Sequence, residues 1–264
     1  MEGLFYLKLL LAFAVGSVMV TLATVAAEKL GSKMGGLIGG LPTMVAITLF
    51  FIGYIQSPQT ASEATGPIPL IMGFNGIFLV VYVALARWGA WVGMTAALFM
   101  WVVLASLIIA LDLANFTLAL VIFAFLLIGS YQMLDKKWHL RSAGRVNIRY
   151  TPGQILARAF FSGAIASSAV YLSKVGGPIW GGVMAPFPTV YISTLIILAR
   201  SWGVSYSLAI TKSLLVSGLV NVVVYSCAVR FGYPVLGLAR GTLVALAFAG
   251  MSAFGTYTFM KRMT

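Results

Sequence analysis

The run Gly35-Gly36-Leu37-Ile38-Gly39-Gly40-Leu41-Pro42-Thr43 returns in outline as Gly181-Gly182-Val183-Met184-Ala185-Pro186-Phe187-Pro188-Thr189. Each copy is a Gly pair, two apolar residues, two small or helix-breaking residues, one apolar residue and then Pro-Thr. Each has a further threonine beyond, Thr48 and Thr194. Both copies sit inside long apolar runs. Proline has no N–H to give the helix ladder, and its ring pushes away the carbonyl four residues back. Pro42 is therefore expected to free the carbonyl of Ile38, and Pro188 that of Met184. In lipid such groups are tolerated only where protein or a wet cavity satisfies them. The spacing predicts two interrupted membrane helices, and this twin break is the candidate functional centre.

The surrounding composition agrees. Of 264 residues, 61% are hydrophobic and 8% charged, too apolar for a soluble domain of this length. Apolar segments of about 18 residues or more recur throughout, as membrane helices require. The net charge of +12 is no nucleic-acid footprint, because the basic residues lie at the ends of apolar runs, where they anchor and orient helices. The lone Cys227 excludes an internal disulfide and a cysteine metal cluster. One His and five acids leave little for metal or acid–base chemistry, so neither a cofactor nor an enzyme is expected. The first apolar run has no small-residue cleavage pattern after it and reads as a retained span.

Reading along the chain gives an all-α polytopic membrane protein of about nine transmembrane helices. Val80-Val81-Tyr82 with Arg87-Trp88-Gly89 beyond it matches Val223-Val224-Tyr225 with Arg230-Phe231-Gly232 beyond it. Residues 1–111 thus read as one four-helix repeat and 152–264 as a second. Residues 112–135 form a linker transmembrane helix without a partner, and 136–151 a basic cytoplasmic loop. The polar stretch Gln56–Gly66 reads as a loop, and the last two spans are expected to part at Arg230-Phe231-Gly232. A single linker span makes the second repeat enter from the opposite face, so the repeats are inverted. The distribution of Lys and Arg fits this, with the N-terminus outside and the C-terminus inside a prokaryotic cytoplasmic (inner) membrane.

The run Gly3-Leu4-Phe5-Tyr6-Leu7-Lys8, and above all Gly182 through Thr189, resembles the GlpM-like family of small inner-membrane proteins of about four spans. In the second copy Lys212 falls where the family has a basic residue ahead of a glycine, here Gly218. The first copy departs from the pattern: Pro69 or Leu70 stands at that place, and Gly39-Gly40 replace the residues around the first proline. The resemblance implies that single-unit relatives pair antiparallel and that this chain is two fused copies. It supplies no substrate.

The candidate pathway residues are Gly39, Gly40, Pro42, Thr43 and Thr48 in the first copy, and Pro186, Pro188, Thr189 and Thr194 in the second. Lys212 in Thr211-Lys212-Ser213 and Arg240 in Ala239-Arg240-Gly241 are cations placed within spans, as charges on a solute path would be; Lys212 also reads as an interfacial lysine. Arg158, so close to the basic loop, reads as an anchor. Asn75 and Asn221 read as path-lining or interhelical hydrogen-bonding groups. With cations in the spans and no acid deep in them, an anion is slightly favoured. The sequence therefore points to a small-solute transporter or channel, in contact with the lipid bilayer and a small anion and not with nucleic acid. The alternative is a non-transporting accessory subunit. A homo-oligomer or a membrane-complex partner is open on either reading.

Overall fold

The structure is a computed structural model that describes residues 2–29, 41–140 and 150–263. The described residues are helical and contain no strand. Among the described residues, seven helical segments are long and apolar enough to cross a membrane, the last of them running over two limbs, with one shorter apolar helix beside them. This is an all-α polytopic membrane protein.

Helix α1 spans Glu2–Lys29, α2 Thr43–Ile55 and α3 Pro58–Ala64. Next come α4, Ile68–Leu85, α5, Ala90–Ala110, and α6, Phe116–Gln132. The second half has α7, Pro152–Gly176, α8, Pro178–Met184, α9, Thr189–Trp202, α10, Val204–Ser213, and α11, Leu219–Met263. Several starts are written in the sequence. Thr151 and Gln154 form a reciprocal capping box ahead of α7. Asn115 accepts from the Leu118 N–H to open α6, and Gly89, at φ 132°, turns α4 into α5.

Two expected boundaries move. Gln56–Gly66 is not a surface loop. Ser57 accepts from the Thr60 N–H, Pro58 takes the first helical position, and α3 follows. Ala61, Ser62, Ala64 and Thr65 are buried. The polar groups are tolerated because the second half satisfies them. Ser62 Oγ donates to the Arg230 carbonyl at 2.8 Å, and Arg230 Nη1 donates to the Ser62 carbonyl at 3.0 Å. The last two spans, in turn, do not part at Arg230-Phe231-Gly232. The helix runs on through Pro234 and turns at Gly237, at φ 72° and ψ −178°. Pro234 removes one ladder donor, and glycine takes the positive φ that other residues resist. The two limbs of α11 then pack against each other, with Tyr233 and Thr242 hydroxyls 2.8 Å apart and Ser252 Oγ donating to Asn221 Oδ1 at 2.7 Å.

The interior is built around α4, whose Ile68, Ile71, Phe78, Leu79 and Tyr82 are fully buried. It packs on α5, α6 and α11, and makes smaller contacts with α8 and α10. The broadest pairing of helices joins α1 to α7. They run antiparallel: Phe5 lies by Tyr171, and Phe13 by Phe160. At their crossing a Cβ on Gly16 would sit 3.2 Å from Ala166 Cβ and 3.6 Å from the Ser162 carbonyl. Small residues allow this approach, as in membrane helix pairs generally. Leu4, Leu7 and Leu10 on α1, Phe99 on α5 and Phe125 on α6 face outward, as lipid-facing side chains do.

Candidate functional site

The prolines of the two stretches share one backbone geometry. Pro42 has φ −77° and ψ 47°, and Pro188 has φ −74° and ψ 34°. In the first, the Thr43 N–H donates to the Leu41 carbonyl at 2.8 Å; in the second, the Thr189 N–H donates to the Phe187 carbonyl at 2.7 Å. Each proline thus centres a tight three-residue turn. Its own carbonyl then accepts the first helical bond, from Ala46 at 2.8 Å and from Ile192 at 2.9 Å. The threonine after each proline is the first residue of the new helix.

The expected freed carbonyl of Met184 is corrected by this geometry. The helix stops short of the proline, and the Phe187 N–H bonds the Met184 carbonyl at 3.1 Å. Gly39, Gly40 and Ile38 lie outside the described residues. So do Arg141, Arg145 and Arg149 of the basic loop.

The surroundings of the second break are well defined. Asn75, on the central α4, reaches across from the first half and donates from Nδ2 to the Pro186 carbonyl at 2.9 Å. Trp101 of α5 sets its ring edge-on to Phe187, centroids 5.0 Å apart. Pro186, Pro188 and Thr189 are buried. Three polar atoms here lack partners: Asn75 Oδ1, Trp101 Nε1 and Thr189 Oγ1. Their residues are only 1%, 2% and 7% exposed. An unpaired polar group in an apolar surrounding costs on the order of 2–7 kcal/mol, so each of these atoms favours a polar partner. Between them they offer one donor, one acceptor and one hydroxyl.

Just ahead of this break, α8 is held close to the first half. A Cβ on Gly182 would collide with the Ala64 carbonyl, and one on Gly181 would sit 2.6 Å from Ser173 Cβ and 2.9 Å from an Ile52 methyl. Only glycine permits α8 to press on the end of α3.

At the first break the described residues give fewer polar contacts. Thr43 Oγ1 turns back to the Leu41 carbonyl at 3.5 Å, the weak limit for such a bond. Thr48 is fully buried and its hydroxyl has no partner.

The remaining candidates divide. Thr194 accepts from Arg158 Nη1 at 3.4 Å. Arg158 itself is only 8% exposed, so it is not the interfacial anchor that its position near the basic loop suggests. Lys212 has a partner within the fold. It pairs with Asp135 at 2.5 Å and lies 5.2 Å from the centre of the Tyr131 ring. Asp135 belongs to a wide helical turn, Met133–Lys137, that prolongs α6 and carries the carboxylate to Lys212. Arg240 is exposed, just past the Gly237 turn, and lines nothing in the interior. Asn221 ties the two limbs of α11 together through Ser252, and its Nδ2 lies 3.4 Å from Ser217 Oγ. It therefore braces the last hairpin, whereas Asn75 reaches a break.

Trp101, which the sequence does not single out, and Arg158, which reads there as an anchor, are the residues that sequence reasoning missed. For the tryptophan, no local pattern sets it against Phe187. The arginine did carry a signal: Arg158, Ser162 and Ala166 recur one helical turn apart, the spacing of a face turned inward. No family model, curated protein or solved structure matches the chain.

Proposed function

We propose that the protein is a small-solute transporter or channel whose site is the second break, bounded by Asn75, Trp101, Pro186 and Thr189. The observation that carries this reading is the cluster of buried, unpartnered polar atoms at an interrupted helix inside an apolar bundle. Transporters place binding sites at discontinuous helices of this kind, between repeated units. The shared geometry of Pro42 and Pro188 supports an inverted pair of repeats. So does the antiparallel crossing of α1 and α7, where Gly16 meets Ser162, its equivalent in the register set by the two prolines. The resemblance to the GlpM-like family, as two fused copies, belongs to the same proposal, as does an inner-membrane location with the N-terminus outside.

The test is flux in liposomes. The full chain should pass a small polar or anionic solute, and Asn75→Leu combined with Thr189→Val should lower that flux at least tenfold while the protein still inserts. Equal flux from this variant would remove the site. Stoichiometric co-purification with another membrane protein, together with no flux for any solute, would favour the accessory-subunit reading. Orientation is checked separately in a Cys227→Ser background. Arg87→Cys and Phe231→Cys should label from opposite faces, and labelling from one face would end the inverted arrangement.

A further inference from the structure

Arg158 is the only charged side chain in the buried class among the described residues. It enters about two turns into α7, counted from Pro152. An arginine there has two ordinary fates. It can snorkel, keeping its stem in lipid and its guanidinium in water, or it can pair with a carboxylate. Arg158 does neither. The residue is 8% exposed with Nε fully buried, and the one ion pair among the described residues is that of Lys212 with Asp135.

Its partners are hydroxyls. Nη1 donates to Tyr150 Oη at 3.1 Å and to Thr194 Oγ1 at 3.4 Å. The guanidinium carbon lies 5.1 Å from the centre of the Tyr150 ring. Nε is buried without a partner. Both bonds therefore fall on one nitrogen, and the Nε–Nη2 edge is left over, the edge that grips two oxygens of a carboxylate or phosphate side by side. Each hydroxyl accepts from Nη1 and keeps its own hydrogen to donate. The site thus consists of donors around one positive charge. An uncompensated charge in such a place costs several kcal/mol, and a bound anion would offset that cost.

The first half lacks this charge. In the register of the two prolines, Ala12 stands where Arg158 does and Thr48 where Thr194 does, and both are fully buried. The cation belongs to one half and, through α9, to the break that Asn75 also reaches.

We propose that Arg158, with Thr194 and Tyr150, binds a small oxyanion, carboxylate or phosphate in class, between α7 and α9. The assignment rests on the transport reading and names the class of its solute. The same chemistry could come from a free anion or from the phosphate of an anionic lipid.

The experiment uses the full chain purified in a neutral detergent. Unfolding midpoint and binding are measured with inorganic phosphate or acetate against chloride at equal ionic strength, then in nanodiscs of phosphatidylglycerol against phosphatidylcholine. Phosphate or acetate should raise the midpoint. Arg158→Gln should weaken binding at least tenfold, Arg158→Lys should retain part of it, and Thr194→Val should weaken it severalfold, whereas Arg240→Gln should leave it unchanged. A response to free anions in detergent assigns the site to a soluble solute. A response only to phosphatidylglycerol assigns it to lipid phosphate, and either supports an oxyanion site. Equal responses of wild type, Arg158→Lys and Thr194→Val to every probe would overturn it, even if Arg158→Gln fails to fold. Anion binding without flux would keep this assignment and remove the transport reading. Flux of a neutral solute with no anion response would do the reverse.

Discussion

The helices after Pro42 and Pro188 begin from nearly the same backbone turn, yet they meet different chemistry. Around the second lie Asn75, Trp101 and, one helix away, Arg158. Around the first, Thr48 is buried with no partner, and Ala12 takes the place of the arginine. Matching turns with unlike neighbours separate two roles. The turn is architecture, set by a proline that opens the helix after it. The polar and charged groups are chemistry, drawn from both halves and gathered at the second break. If so, damage to the shared architecture should cost most, damage to the second site should cost function, and removal of isolated polar groups in the first half should cost least.

The largest effect is expected at the close approach of α8 to α3. Gly182→Val would drive a side chain into the Ala64 backbone carbonyl. Overpacking typically costs about 1–3 kcal/mol and sometimes more, and here the obstacle is backbone, which yields least. Unfolding in detergent should show a marked loss of stability or no folded protein. Gly129→Ala is the contrast, since a Cβ there meets nothing within 4 Å. It should be neutral or gain up to about 1 kcal/mol from helix propensity. A Gly182→Val protein as stable as wild type would mean that α8 can stand away from α3.

Next comes Asn75. Asn75→Leu strands the Pro186 carbonyl in an apolar interior, at about 1–3 kcal/mol, and should reduce solute flux. Asn221→Leu cuts the brace between the two limbs of α11 and should cost similar stability while leaving the preference among solutes unchanged. Equal effects of the two on solute preference would erase the distinction between a residue at the break and one within the last hairpin.

Which parts of this were legible in the sequence follows from the range of the forces involved. The two breaks could be read because proline acts on its own backbone. The bundle could be read because lipid demands long apolar segments. The Ser57-Pro58 start of α3 was also local, but its polarity argued for a loop, and only Arg230, far along the chain, shows how that polarity is satisfied. The turn at Gly237 was hidden by Arg230-Phe231-Gly232, a stronger turn signal through which the helix continues. Lys212 read as a charge within a span, and its partner Asp135 could not be read, because a salt bridge across the fold leaves no trace in spacing. Arg158 was misjudged for the same reason: nearness to a basic loop is visible in the sequence, and burial against α9 is not.

A smaller effect is expected at Lys212 and Asp135. The carboxylate is 38% exposed and the ammonium 12%, so the pair is partly screened. A double-mutant cycle should give a coupling of about 1 kcal/mol or less, and the exchange Lys212→Asp with Asp135→Lys should restore most of it. Flux should follow stability here and show no change in solute preference. Loss of anion preference in the charge-swapped protein would return Lys212 to the solute path and dilute the contrast between the halves.

The smallest effect gives the finest test. Thr48 and Thr194 hold equivalent places after the two prolines, but only Thr194 has a partner. Removing a hydroxyl that bonds nothing removes a desolvation penalty and little else, so Thr48→Val should change stability by less than about 0.5 kcal/mol or raise it. Thr194→Val takes an acceptor from a buried guanidinium, a loss of about 1–3 kcal/mol. Unfolding midpoints of the two variants, measured side by side in one detergent, decide the matter. A loss at Thr48 equal to that at Thr194 would show that its hydroxyl is engaged after all, and that the first break carries chemistry of its own. Unchanged stability with reduced flux would be more telling still: Thr48 would then line a passage shared by both halves, and the function would no longer belong to one break.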